Sequence, residues 1–406
     1  AAGAAPTVHE TPHLSGHSIE NELLRVDVNA DGTLNILDKR SGKVIPHVLE
    51  LEDVGDVGDE YSYSPPAKDR LISNRHGAKA LISVISKGDL RQALRIDTSI
   101  AVPSSAGHDD RRARGHELVM TDVELEVGLS QGSPVVSCSV KIENRASDHR
   151  LRLLFPTGAD VVRDSRADTA FGVVARAAKR AQPPAPIAEL PVSSYPMQSF
   201  VDAGHASAGI TVLSEGLMEF EVVGGEPGRH AAIALTLIRS VGWLSRGDLA
   251  TRRGNAGPSL ETPGAQCLGS SSFRFAFAPR LTPPTEAELC AQGRAFLAPP
   301  AFVQGTNAKA DSTQMPKRHS FLQTGGVSLG DVVVSALKKA DDRDAVVIRL
   351  FNPGDVPVQT QMNVARTLKS AHVTNLREQR LMPLTLQDGG VTLILGPRKI
   401  KTIELE

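Results

Sequence analysis

Apolar and polar residues alternate almost from the start of this chain, and turn residues interrupt the alternation at short intervals. Leu24, Val26 and Val28 alternate with Arg25 and Asp27, Asp31-Gly32 supplies a turn, and Leu34 and Ile36 resume the pattern before Asp38 to Gly42 turns again. A period of two puts one face of a strand in a core and the other in water, and closely spaced Gly and Asp signals mark hairpins. Strand-like segments continue at Leu81–Ile85, Leu94–Val102, Val119–Leu129, Ser133–Asn144 and Leu151–Phe155. The Ala- and Pro-rich stretch Ala177–Pro191 reads as a surface loop. Strands resume in SYPMQSFVDA, AGITVLSEGLMEFEVV, AAIALTLIRSVGWLS and SSFRFAFAP. The spacing predicts a mainly β chain built on a large antiparallel sandwich.

Pro284–Ala298 is one of few helical candidates, with Glu286 and Glu288 early and the apolar Leu289 and Phe296 behind them. Residues 299–320 read as a linker. From Phe321 a smaller β unit follows in DVVVSALKK, AVVIRLFNP, VPVQTQMNV and VTLILGPRKIKTIEL. Asn352-Pro-Gly-Asp355 reads as a turn in which Pro fixes φ and Gly takes a left-handed step. The expected organisation is a flexible leader (1–18), a large β sandwich (19–283), a short helix and linker (284–320) and a small C-terminal β domain (321–406).

Composition excludes several function classes. The 406 residues carry 45 basic and 46 acidic side chains, a net charge of -1, so no basic surplus points to nucleic acid. No apolar run is long enough for a transmembrane helix. Cys138, Cys267 and Cys290 are odd in number and far apart, which argues against a disulfide framework and for a reducing, cytoplasmic location. There is no CxxC, HExxH or Cys/His cluster of zinc spacing. His13 and His17 would share a helix face, but Pro12 and Gly16 argue against that helix. No GxSxG nucleophile elbow is present.

Two elements remain as ligand candidates. The first is Leu51–Pro66 (LEDVGDVGDEYSYSPP), with five acidic residues and two of the three tyrosines. Its adjacent carboxylates, Glu52-Asp53 and Asp59-Glu60, are poor glycosidase pairs, because neighbours on a strand point to opposite faces. Tyr61, beside Asp59 and Glu60, offers a flat ring and a hydroxyl that can bond a sugar hydroxyl. Tyr63 shares its face if the stretch is extended. The second element is Arg252-Arg253-Gly254 in the Gly/Pro-rich loop Ser245–Leu268, where a guanidinium fork suits vicinal hydroxyls or a carboxylate. The plain alternatives are a solvated acidic turn, a packed tyrosine and an exposed loop arginine. Trp243, in the apolar run LIRSVGWL, is expected in the core rather than in a sugar platform.

Taken together these segments resemble the C-terminal β region of glycoside hydrolase family 38, the α-mannosidases, including its mannosylglycerate-hydrolase-like branch. The matching text is IENELLRVDVNADGTLNILDKRSGKVI, LEDVGDVGDEYSYSPP, SSYPMQSFVD with GITVLSEGLMEFEV, LTLIRSVGWLSRGDLATRRGNAGPSLETPGAQCLG and VVIRLFNP, in that order. The resemblance implies a mutarotase-like supersandwich followed by a smaller β-sandwich. It also implies a retaining glycosidase whose nucleophile, acid/base residue and Zn2+ ligands lie in an N-terminal α/β barrel followed by a helical bundle. No residue here matches those motifs, so this chain is expected to hold no cofactor and to be inactive alone. Its implied partners are that barrel and bundle and a mannose-containing saccharide. The family's sugar-binding tyrosine matches Tyr61 in Tyr61-Ser-Tyr63-Ser-Pro65, and its late arginine matches the loop Asp248–Gly254. Spacing favours Arg252 over Arg253 there, and both remain candidates. Apolar surface left open where the other domains sit is expected to give self-association, as in a homo-oligomer, or poor solubility. Two other readings are a free-standing carbohydrate-binding sandwich and a mutarotase-like epimerase. The second needs an in-pocket histidine and carboxylate, for which His47, His76 and His116 are the candidates.

Overall fold

The computed structural model of the chain describes residues 17–106, 113–179, 188–225, 230–303, 319–325, 332–365, 367–387 and 389–406. His13 with Pro12 and Gly16, most of the expected leader and residues 304–318 of the expected linker lie outside them. The chain divides into two compact units, 1–166 with 175–283, and 167–174 with 284–406. The segment 167–174 therefore belongs with the second unit, inside the span that the sequence reading gives wholly to the large sandwich.

The first unit is built from antiparallel sheets. Ser18–Glu20, Leu24–Val28, Leu34–Asp38 and Lys43–Val48 form a four-stranded meander in which Leu24, Val26, Leu34 and Ile36 are buried and their neighbours half-exposed. Gly32 makes its turn at φ 86°, and Asp31 Oδ1 accepts from the Thr33 N–H. A nine-stranded sheet includes, as successive neighbours, Phe200–His205, Ala208–Glu215, Gly269–Arg280, Val136–Asn144, Leu118–Ser130, Arg91–Pro103 and the edge strand Leu81–Lys87. A six-stranded sheet runs Ser194–Pro196, Glu219–Val223, Ala232–Ser240, His149–Pro156, Glu50–Gly55 and Ile72–Ser73.

Those two sheets meet through aromatic residues. Phe155 packs edge-on against Phe275 and Phe277, with ring centres 5.9 and 5.7 Å apart, so the inner faces form one core. The register then decides every other side chain of the central strands. Leu51 faces Leu153, while Glu52 faces Arg152. Odd-numbered residues of His149–Pro156 share the core side with Phe155, and Arg150 and Arg152 must lie on the outer side. This strand is buried on both faces, although its sequence, HRLRLLFP, carries three basic residues. The edge strand Leu81–Lys87 is the opposite case. Leu81, Val84 and Ile85 are exposed, an apolar edge of the kind that natural sheets usually cover.

The second unit is a small sandwich. Leu322–Gly325, Val358–Val364, Gly390–Leu395 and Leu386–Gln387 form one sheet, and Val333–Lys339, Val346–Phe351, Ile400–Leu405, Ala371–Thr374 and Arg380–Pro383 the other. Ile348, Leu350, Met362, Leu393 and Ile403 are among the residues that fill its core. Helix Glu286–Leu297 starts on a capping box in which Thr285 and Glu288 satisfy each other's backbone N–H groups. The Asn352–Asp355 turn forms by a different device from the one expected. Gly354 is not left-handed. Its N–H donates to Asn352 Oδ1, and Asn352 Nδ2 donates to the carbonyls of Val356, Leu395 and Gly396. An Asn side chain that closes the turn this way leaves glycine with no special φ to supply.

Because Phe155 sits fully buried between two aromatic rings, Phe155→Ala is expected to destabilise the first unit by about 3–5 kcal/mol. Urea unfolding followed by far-UV circular dichroism checks this.

Candidate functional site

The acidic stretch leaves the sheet as a strand and becomes a loop only after Gly55. Its strand half shows why adjacent carboxylates diverge. The Glu52 carboxylate points outward to the Arg152 guanidinium, and Arg152 also reaches Glu221 at 2.6 Å. Asp53 points inward, is fully buried, and meets Arg114 and His149 Nδ1. The other ring nitrogen of His149 lies 3.0 Å from Asn144 Oδ1. His149 is thus a buried histidine held against a carboxylate, and the sequence reading did not single it out. Of the three it did name, His76 and His116 are exposed, and half-buried His47 approaches Thr33 Oγ1 at 3.4 Å. The described structure does not gather them into an acid/base site.

The loop half folds on its own side chains. Asp56 accepts the N–H groups of Gly58 and Ser64, and the backbone pairs Val57 with Ser64 and Asp59 with Ser62. The turn is so tight that a Cβ on Gly58 would lie 2.1 Å from the Ser62 carbonyl oxygen, which only glycine avoids. Arg239, from strand Ala232–Ser240, donates 2.6 Å bonds to Asp56 Oδ2 and to the Asp59 carbonyl. Burial pushes the Asp56 carboxyl above its ordinary pKa, and the Arg239 charge and the two N–H bonds offset only part of that.

Asp59 is the centre of the loop. Its Oδ1 accepts from the N–H groups of Tyr61 and Ser62 at 3.1 and 2.9 Å. Its Oδ2 accepts from the Arg246 N–H at 2.8 Å and from Arg252 Nη2 at 2.5 Å. Burial alone raises its pKa, but the Arg252 hydrogen bond, the N–H bonds from Arg246 and Ser62 and the Arg252 charge outweigh it, so the carboxyl lies below the ordinary aspartate value. Asp59 is therefore a structural anion. Glu60 beside it is exposed, and its N–H donates to the Trp243 carbonyl.

The Gly/Pro-rich segment after Trp243 is an ordered partner for this loop. Arg252 is 7% exposed and pairs its backbone with that of Glu189 in an isolated antiparallel bridge, while Ser62 Oγ donates to the Glu189 carboxylate at 2.8 Å. Thr251 Oγ1 donates to the Tyr63 carbonyl. Three chain segments, 56–64, 188–190 and 243–262, are thus tied around one ion pair. Arg253 is exposed, and its N–H donates to the Ala188 carbonyl. Exposed Asp248 holds Arg246 by both carboxylate oxygens.

The two tyrosines do not share surroundings. Tyr61 is 57% exposed, with its phenol over Gly257. Tyr63 is half-buried with the Arg150 guanidinium 3.9 Å above its ring, and burial, only partly countered by the Arg150 charge, pushes its hydroxyl up to about 12. Trp243 corrects the core expectation. It is half-buried, lies outside any strand, bridges Glu261 and has Arg246 stacked over its ring at 5.1 Å. The sequence reading missed Ser62, Glu189, Arg239, Arg246, Ser245 and Gly257. Their roles come from contacts across long sequence separations, which no local pattern signals. Among the described residues, no three His, Cys, Asp or Glu side chains gather as a metal site.

Two family models match this chain. One, described as the C-terminal domain of glycosyl hydrolases family 38, covers residues 19–245, and one described as that family's C-terminal beta sandwich domain covers 331–403. A putative mannosylglycerate hydrolase of Halalkalibacterium halodurans is 28% identical over 410 residues, spanning 97% of this chain and 42% of that protein. Among solved structures, an α-mannosidase from Enterococcus faecalis V583 is similar with a TM-score of 0.78 at 24% identity, over 98% of this chain and 43% of its own. A family 38 glycosyl hydrolase from Enterococcus faecalis gives the same TM-score and identity over 100% and 46%. This chain spans less than half the length of each.

Removing the Asp59 charge strands a buried guanidinium. Asp59→Asn is expected to destabilise the first unit by about 3–5 kcal/mol near neutral pH. The sign with pH follows from the lowered pKa. The Asp59 contribution is complete above the unfolded aspartate value of about 3.9 and disappears as pH falls through the lower folded value. Thermal melting of both proteins from about pH 7 to about pH 3 should show their midpoints converging at the acid end.

Proposed function

The chain belongs to glycosyl hydrolase family 38, and we propose that it is the β region of an α-mannosidase of that family, lending the Tyr61 loop to the wall of a mannoside pocket. The observation that carries this reading is the exposed phenol of Tyr61 on a loop whose buried carboxylates, Asp56 and Asp59, are engaged by Arg239 and Arg252. A loop that commits Asp56 and Asp59 to internal bonds and leaves an amphipathic ring in solvent is built to present that ring. Its hydroxyl can donate to and accept from sugar hydroxyls, and the exposed Glu60, Asp248 and Arg253 lie on the same two loops.

The chain alone does not hydrolyse glycosides on this reading. A retaining mechanism needs one free carboxylate as nucleophile and a second as acid/base, roughly 5 Å apart. Asp56 and Asp59 are instead bound to Arg239 and Arg252. The catalytic carboxylates and Zn2+ belong to the α/β barrel of the longer enzyme, which with its helical bundle is the partner of this chain. No helix of the described residues is long and apolar enough to cross a membrane. The exposed, unpaired Cys267 supports a reducing, cytoplasmic setting. The apolar edge Leu81–Lys87 supports burial against another protein surface.

Hydrolysis of an aryl α-mannoside tests the reading. This chain with added zinc should give no turnover. Joined to the N-terminal part of the enzyme it should support turnover, and Tyr61→Phe should lower kcat/KM about five-fold, the worth of one hydrogen bond of about 1 kcal/mol. Chelator-sensitive turnover by this chain alone, or full activity of Tyr61→Phe, would overturn it.

A further inference from the structure

Arg252 presents a hydrogen-bond count that closes. A guanidinium has five N–H donors and no acceptor. Arg252 Nε donates to the Gly254 carbonyl at 3.3 Å. Its Nη1 donates to Ser62 Oγ at 2.6 Å and to Asp59 Oδ1 at 3.4 Å. Its Nη2 donates to Asp59 Oδ2 at 2.5 Å and to the Arg246 carbonyl at 3.1 Å, with Ser245 Oγ also within 3.5 Å. All five donors are used inside the protein, and the side chain is 6% exposed. A saccharide could be met by Arg252 only after one of these bonds broke.

The same bonds lead to Tyr61. Asp59, held by Arg252, accepts the Tyr61 N–H and so fixes where the residue leaves the turn. On the other loop, Ser245 Oγ is fully buried and accepts the N–H groups of Ala256 and Gly257 at 2.9 and 3.1 Å. Gly257 lies directly beneath the phenol. A Cβ built there would stand 3.1 Å from Tyr61 Oη, 3.4 Å from Cε2 and 3.5 Å from Cζ. The approach to Oη is closer than a side-chain carbon normally packs, the two ring-carbon distances are ordinary contacts, and the exposed ring is the partner able to give by a few tenths of an ångström.

We infer that Arg252 is a positioning residue that does not touch the ligand, and that with Gly257 it forms a seat fixing the Tyr61 phenol, the group presented to the saccharide. The last clause rests on the mannoside reading, and the seat itself does not. Arg252 sets the base of the loop and Gly257 sets the height of the ring. Gly257 is therefore specificity-determining, because any larger residue shifts the hydroxyl relative to a bound sugar.

The three tyrosines of this chain make the seat directly observable. With ring-labelled tyrosine, nuclear magnetic resonance gives one signal each for Tyr61, Tyr63 and Tyr195, and Tyr61→Phe identifies the first. Gly257→Ala should move the Tyr61 signal, leave the other two in place and leave the melting temperature close to wild type. Arg252→Lys should also move it, since an ammonium has three donors and no fork to span Asp59, Ser62, Gly254 and Arg246. In the enzyme completed with its N-terminal part, Gly257→Ala should lower kcat/KM for an aryl α-mannoside about five-fold, and should add nothing when Tyr61 is already alanine. A Tyr61 signal unmoved by Gly257→Ala overturns the seat. Equal losses from Gly257→Ala with and without the phenol overturn its action through Tyr61. If the signal moves while turnover ignores both Gly257→Ala and Tyr61→Phe, the seat stands and the mannoside reading fails.

Discussion

The buried pair of Asp59 and Arg252 is the interaction on which the candidate site depends. It joins loops from distant parts of the first unit, and the Ser62–Glu189 and Thr251–Tyr63 bonds gather around it. An ion pair out of water is not a cheap source of stability, because the desolvation of both charges can match their attraction. Its value lies in exclusion. Once Asp59 is ionised in this pocket, every arrangement that leaves it or Arg252 unpaired carries a large penalty, and the surrounding N–H groups of Tyr61, Ser62 and Arg246 add to the same arrangement.

The device recurs along a single stretch of chain. Glu52, Asp53, Asp56 and Asp59 each engage an arginine far away in sequence: Arg152, Arg114, Arg239 and Arg252. Strand geometry sends Glu52 outward and Asp53 inward, so two adjacent carboxylates serve opposite faces of the sheet. Beyond Gly55 the same chemistry closes a loop instead. The acidic run that invites a catalytic or metal-binding interpretation is, residue by residue, a row of anchors. Exposed Glu60 is the carboxylate of the stretch that stays in solvent.

This explains which parts of the protein were legible in its sequence. The first hairpins were, because Leu24, Val26, Leu34 and Ile36 bury one face by period two alone. The helix at Glu286–Leu297 was, because the early Glu286 and Glu288 and the apolar Leu289 and Phe296 behind them are local signals. Strand His149–Pro156 was legible as a strand but not as one buried on both faces, since Arg150 and Arg152 look solvent-facing until Glu52, Glu221 and the Tyr63 ring are placed around them. Trp243 was misplaced for a related reason. The apolar run that precedes it ends at Ser240, and the chain turns there to place the indole under Arg246. Tyr61 and Arg252 could be singled out by residue type and loop context. Their division of labour could not, since it depends on Asp59, Ser62 and Gly257 meeting across nearly two hundred residues.

The division follows from what each side chain can do when buried. A guanidinium can be fully satisfied by a protein interior, five donors against fixed acceptors, and is then rigid and closed to a ligand. A phenol has a broad apolar face and one small polar tip, so it can lean its ring on backbone such as Gly257 while the tip stays in water. In loops rich in both residue types, the arginine is the better clasp and the tyrosine the better contact. Arg252 and Arg253 show the point within one dipeptide. The first is enclosed by acceptors from 59, 62, 246 and 254, and the second, with the same chemistry, is left on the surface with only its main-chain bond to Ala188 among the described residues. Sequence spacing favours Arg252 as the ligand arginine. Counting its donors assigns it to the scaffold.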